Sequence, residues 1–377
     1  MAKCYIGVSG KAKNIKNIYI GVSGKARRVT KAYIGVGGKA RVFWSGGSVY
    51  KWGTATSLSS ARYDFGAAHI GNYALFAAGM PANGSNLKSV ETYNSSLTKG
   101  TASEFSGANA SGRAVGGQNS SYALFLASDS TTYSYDISLT LKKRSSAKAT
   151  PVGHAPAVSF NNYILFAGGY TSAVGNGICI FDSSLTYKQS GTISQIMLDA
   201  AGTSVGNYVI FAGGRSARTG GAYYSTVEIY DSSITKLTMS GKSLSVARCS
   251  LAAATNGTYA IFTGGFDENI KTVNNTDAYN ASMTKSTGTG LSTSRADHTG
   301  ISIDTYALFI GGRPTTSTYT SAVDIYDSSL TKTTNSISTN RGSGAGTIIG
   351  NKIIFAGGQS RDSGSLAIVD TVDVFAI

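Results

Sequence analysis

Cysteine is nearly absent: Cys4, Cys179 and Cys249 are the three in 377 residues, an odd and sparse set that argues against a disulfide framework. No apolar run approaches the ~18 residues that a membrane-spanning helix needs. The opening MAKCYIGVSGKAK lacks the apolar centre of a signal peptide. The expectation is a chain made in a cytoplasm and exported, if at all, without a leader of its own. Charged residues make up 14% and prolines number four, whereas glycines number 47 and Ser and Thr abound. That is the composition of an extracellular or particle-surface β protein.

Acidic residues are missing from positions 1–44, which hold ten Lys and Arg, so +10 of the net +14 lies there. The high pI therefore belongs to an arm. Within it a phrase recurs every 14 residues, CYIGVSGKAK, IYIGVSGKAR and AYIGVGGKAR, led by Tyr5, Tyr19 and Tyr33. It is no phosphate-binding loop, because two residues separate the first glycine from Gly38-Lys39 where four are required, and Ala40 follows. It reads as a hairpin instead, with Ser23-Gly24 as a tight turn between short strands. Three hairpins in 44 residues are too few to bury a core, so the arm is expected to fold against a partner or its own copies. Tyr5, Tyr19, Tyr33, Lys25, Arg27, Arg28, Lys39 and Arg41 are the candidate anchor residues. An acidic protein surface suits them, and nucleic acid is the disfavoured alternative.

The remaining residues, 45–377, are organised by repetition. NYALFAAG, SYALFLAS, NYILFAGG, NYVIFAGG, TYAIFTGG, TYALFIGG and NKIIFAGG return seven times at a mean spacing of about 46 residues. After each comes a second phrase, such as VETYNSSLT, VEIYDSSIT or VDIYDSSLT, and VDVFAI ends the chain. Four strands per unit of this length make a propeller blade. The fold expected is all-β, a seven-bladed β-propeller preceded by the hairpin arm. The last unit stops after its third strand, so residues 52–58 are expected to supply the fourth and close the ring. The grounds are that SLSSAR matches SLSVAR, GLSTSR and SISTNR, each read as the end of an outer strand.

The phrasing resembles kelch repeats, with Arg295 and His298 standing before TYALFIGG as that family's pattern has them. The tryptophan usual after its Tyr-Asp strand is missing, and SSLTK stands there instead. Kelch-like propellers include copper radical oxidases and sugar-active enzymes. Here His69, His154 and His298 fall in separate repeats, and the resemblance implies a structural bond to backbone for them. No paired carboxylates of a hydrolase appear, since Asp182, Asp231 and Asp327 recur where they would cap a turn. No enzyme activity, cofactor or metal is expected.

Arg62, Arg248, Arg295 and Arg341 each stand eleven residues before the Tyr, or Lys352, that leads the seven-fold phrase, and Arg113 stands nine before Tyr122. Two readings are open: a structural hydrogen bond to a neighbouring blade, or a partial cationic rim for an acidic sugar. The loops after Gly-Gly vary most in length and carry Tyr170, Arg215, Tyr223, Tyr224, Phe266 and Tyr319, the candidate ligand-binding set. The tandem YIGVSGKA and YIGVGGKAR units resemble modules at the start of structural proteins of bacteriophages and prophages. That resemblance implies a virion protein released by lysis. Its arm would dock on tail or other virion proteins, and its propeller loops would bind a bacterial surface glycan or protein. Homo-oligomerisation stays open, a capsid decoration is the structural alternative, and a propeller acting on carbohydrate is the enzymatic one.

Overall fold

The strand Tyr306–Ile310, YALFI, is buried along nearly its whole length. A strand that alternates apolar and polar residues has one wet face, whereas a run without alternation must be covered on both. Its equivalents in the other repeats are equally apolar and buried. Each is the second strand of a four-stranded antiparallel sheet, and there are seven such sheets. In the sixth, Thr299–Ile303, Tyr306–Ile310, Ala322–Tyr326 and Lys332–Ser336 follow one another outwards. The innermost strands, Gly66–Ile70, Ala114–Gln118, Ala157–Phe160, Ala201–Val205, Ala252–Thr255, Thr299–Ile303 and Ala345–Ile349, contact one another in sequence and close a ring. The computed structural model is therefore a seven-bladed β-propeller. It describes residues 5–8, 11–14, 19–22, 25–28, 32–36 and 39–44, and then 48–377 apart from 85, 107–113, 128–130, 147–154, 170–175, 196, 240 and 362–363. No helix occurs among the described residues, so none there is long and apolar enough to cross a membrane.

Closure uses the N-terminal side of the ring. Tyr50–Ala55 pairs antiparallel with Val372–Ala376 as the outer strand of blade seven. The segment expected at 52–58 thus sits two residues earlier and stops at Ala55. The phrase SLSSAR and its relatives are not strand ends, as expected, but the connections that follow outer strands. Their Leu58, Leu244, Leu291 and Ile337 are buried, and anchoring a connector explains the conserved spelling better than strand pairing does.

Phenylalanine marks the centre of every second strand. Phe76, Phe125, Phe166, Phe211, Phe262, Phe309 and Phe355 have no solvent exposure. In six blades the ring meets the third strand's aromatic edge-on, as Phe309 meets Tyr326 at 5.8 Å and 78°. Edge-to-face pairs add about 0.5–1.5 kcal/mol to their burial. Opposite these phenylalanines the inner strands carry only Gly or Ala, for example Gly300 facing Phe309 and Ala253 facing Phe262. A Cβ built on Gly300 would collide with the Ala253 carbonyl of the next blade. The ring is too tight at this level for any larger side chain.

The turn between third and outer strands behaves as expected of its aspartates. Asp327 Oδ1 accepts from the amides of Ser329 at 2.8 Å and Thr331 at 2.9 Å. Asp182 and Asp231 do the same. The next apolar residue, Leu330, Leu185 or Ile234, takes a positive φ near 60°, a conformation costly for a bulky side chain. Leu185 and Ile234 are buried in return.

In the arm, the described backbone forms three separate two-stranded hairpins. Their registers repeat: Tyr5 opposes Asn14, Tyr19 opposes Arg28, and Tyr33 opposes Val42. The side chains of the candidate anchor residues lie outside the described residues.

Candidate functional site at the mouth of the ring

The four arginines of the expected rim are not on the surface. Arg62, Arg248, Arg295 and Arg341 are fully buried. Each pairs with an acid on the third strand of its own blade: Glu91 at 2.6 Å, Asp277 at 2.9 Å, Asp324 at 2.8 Å and Asp373 at 2.8 Å. A lysine of the outer strand completes each group, Lys99, Lys285, Lys332 or Lys51. The acid also accepts the amide of the serine in the connector, as Asp324 accepts that of Ser292. Burial pulls these guanidinium groups below their ordinary range, with the paired acid opposing it. They carry no free charge for a sugar acid. The arginine carbonyl has its own task, because the second glycine of the preceding blade donates to it, Gly265 to Arg295 at 2.9 Å and Gly312 to Arg341 at 2.9 Å.

Two residues further on the chain reaches the ring's mouth. Asp64, Asp199, Ser250, Asp297 and Ser343 stand nine residues before the strand-leading Tyr or Lys of their repeats. All adopt positive φ between 51° and 58°, which Asp tolerates better than most side chains. The twist turns each backbone towards its neighbour: Ser250 donates to Asp199, Asp297 to Ser250, Ser343 to Asp297 and Asp64 to Ser343, at 2.8–3.2 Å. A chain of hydrogen bonds thus runs across five blades. The same register holds Arg113 and His154 in the other two repeats, outside the described residues. Sequence reading missed this series, although its constant distance from the tyrosine was the available signal.

The residue after Gly-Gly pairs across the mouth with the connector. Leu198 bridges Arg215, Cys249 bridges Phe266, and Ala296 bridges Arg313. Arg215 donates twice to Asp199 Oδ2, at 3.0 and 2.7 Å, and to the Arg218 carbonyl. Arg313 Nε donates to Asp297 Oδ2 at 2.7 Å, and its guanidinium lies 5.4 Å from the Phe266 ring centre. Burial pushes the Asp297 carboxyl above its ordinary range; Arg313 opposes this, while Asp199 and Asp64 reinforce it.

Of the candidate set, Arg215, Tyr223 and Phe266 come together with Cys249 and Ala296. Phe266, however, is 6% exposed: its ring is wedged under Arg313 and cannot stack on a sugar. Tyr223, Tyr224 and Tyr319 are half-buried, and the Tyr319 hydroxyl donates to Gln359 Oε1 at 3.1 Å. Tyr170 lies outside the described residues. His298 is buried with Nε2 2.9 Å from Thr263 Oγ1, and a hydrogen bond to the Thr263 backbone also acts on the imidazole. His69 faces the ring's channel, and His154 is not described. No grouping of His, Cys, Asp and Glu among the described residues could hold a metal. On the rim of the seven-bladed propeller, Arg215, Phe266 and Arg313 thus follow one another in consecutive blades. No protein-family model matches the chain, and no curated protein matches it.

Proposed function

We propose that this chain is a structural protein of a bacteriophage or phage-like particle, docked by its basic arm to other virion proteins, with the propeller's mouth turned to a bacterial surface polymer. The observation that carries the reading is the pairing of the two parts. A rigid ring presents Arg215, Tyr223, Tyr224 and Tyr319 on loops of unequal length, and an acid-free arm repeats one hairpin register three times. Loops on a rigid scaffold bind with little ordering cost, and tyrosines give sugar rings a flat, amphipathic contact. Equal hairpins suit repeated docking subsites. Two of the mouth's acids, Asp199 and Asp297, are already paired with Arg215 and Arg313, and the reading includes no catalytic step. The kelch subclass rests on Arg295 and His298.

Particles carrying Tyr223→Ala, Tyr224→Ala and Tyr319→Ala together should adsorb to host cells or isolated wall polymer at least tenfold less, with melting within ~2 °C of the parent. Full adsorption by that variant and by particles lacking residues 48–377 would leave a capsid decoration as the function.

A further inference from the structure

The channel through the ring is divided by its own packing. The Gly and Ala residues facing the phenylalanines form a waist. On the mouth side a chamber of about 330 Å³ is lined by small and apolar residues such as Val115, Pro156 and Leu251. Beyond the waist a second chamber of about 260 Å³ is lined differently. There the inner-strand position paired with the residue after each strand-leading Tyr or Lys brings together His69, Gln118, Ser159, Ser204, Thr255 and Ser302, with Ile348 in the seventh blade. Among the described residues, no Asp, Glu, Lys or Arg lines it.

Three of these hydroxyls serve the fold. Thr255 Oγ1 accepts the backbone N–H of Gly257 at 3.1 Å. Ser159 Oγ accepts the Gln118 amide at 2.9 Å and Ser302 Oγ accepts the Thr255 amide at 2.8 Å, satisfying inner-edge N–H groups that face the channel. Each keeps its O–H to donate. The rest is not required by folding. Ile348 shows that the position accepts an apolar residue. The side-chain carboxamide of Gln118 and the Ser204 hydroxyl have no protein partner among the described residues, and His69 uses only Nδ1, 3.3 Å from Thr347 Oγ1. Burial holds the His69 imidazole below its ordinary range and hence neutral at pH 7.

We propose that this lower chamber is a binding site for a neutral polyhydroxylated ligand the size of a monosaccharide. Its volume lies just under the ~300 Å³ at which pockets for drug-sized molecules begin, and donors and acceptors ring it on six sides without a charge. A sugar acid or amino sugar would bring a charge that no side chain here can pair, at a large desolvation cost. The site is separate from the loop face and does not depend on the function proposed for it.

The test is calorimetric and NMR titration of the full chain with glucose, galactose and N-acetylglucosamine, and with glucuronate and glucosamine as charged counterparts. At least one neutral sugar should bind saturably with Kd of ~10 mM or tighter, and charged counterparts at least tenfold more weakly. Gln118→Leu and Ser204→Leu should each weaken binding at least fivefold with unchanged melting. No saturable binding by any neutral sugar, or equal binding by both leucine variants, would overturn the proposal. Should a variant misfold, protection of the wild-type chamber resonances by sugar decides the matter in the same two directions.

Discussion

Replacing Arg295 by methionine probes what holds a blade together. The guanidinium is fully buried, pairs with Asp324 at 2.8 Å, and donates to the carbonyls of Thr293 at 3.1 Å and Phe309 at 3.0 Å. Its Nε has no partner. Methionine has similar reach without charge, and the chain itself places Met197 at this register in blade four. There Glu228 is retained, pairs with Lys236 at 2.8 Å and accepts the Ser194 amide at 2.8 Å. Removing one member of a buried pair costs ~3–5 kcal/mol. Asp324 would keep Lys332 and the Ser292 amide, which places Arg295→Met near the lower limit, about 3 kcal/mol. In a domain of this size that is a fall in Tm of roughly 4 °C. Asp324→Asn should cost more, about 5 kcal/mol, because Arg295 would then hold a buried charge with only carbonyls to meet it. The double variant should cost less than the two together by ~1–3 kcal/mol. Urea titration followed by tryptophan fluorescence, with calorimetry for Tm, reads all three. A loss below ~0.5 kcal/mol for Arg295→Met, or single losses that add without coupling, would refute the reasoning.

Removing residues 1–47 should leave a ring that melts cooperatively, whereas removing 1–60 takes away Tyr50–Ala55, exposes the edge of Val372–Ala376 and invites association; equal melting of the two truncations by calorimetry would count against ring closure. Burial, with Arg295 and Arg248 nearby, holds His298 well below the ordinary imidazole value of 6.5. The unfolded chain therefore binds the proton first, and stability is present above pH 6.5 and lost as pH falls below it. His298→Gln should flatten that limb below about pH 6.5 in urea midpoints, and an unchanged slope would show that the imidazole is accessible in the folded ring.

The sequence by itself determined the blade count, the second and third strands that the two sevenfold phrases become and the side from which the ring closes. Those features are written in spacing, and spacing is kept when an arginine is buried or exposed. It marked Arg62, Arg248, Arg295 and Arg341 as equivalent but left their role open, because the acids that neutralise them lie about 30 residues away on the third strand. Only packing brings the two together. The same holds for Phe266, legible as a loop aromatic until Arg313 from the next blade covers it, and for the Asp and Ser residues at the mouth, whose positive φ turns them towards their neighbours. The polar chamber below the waist is wholly a product of the ring: seven inner strands, each unremarkable alone, set one inward side chain apiece around a common axis, and no single strand contains that convergence.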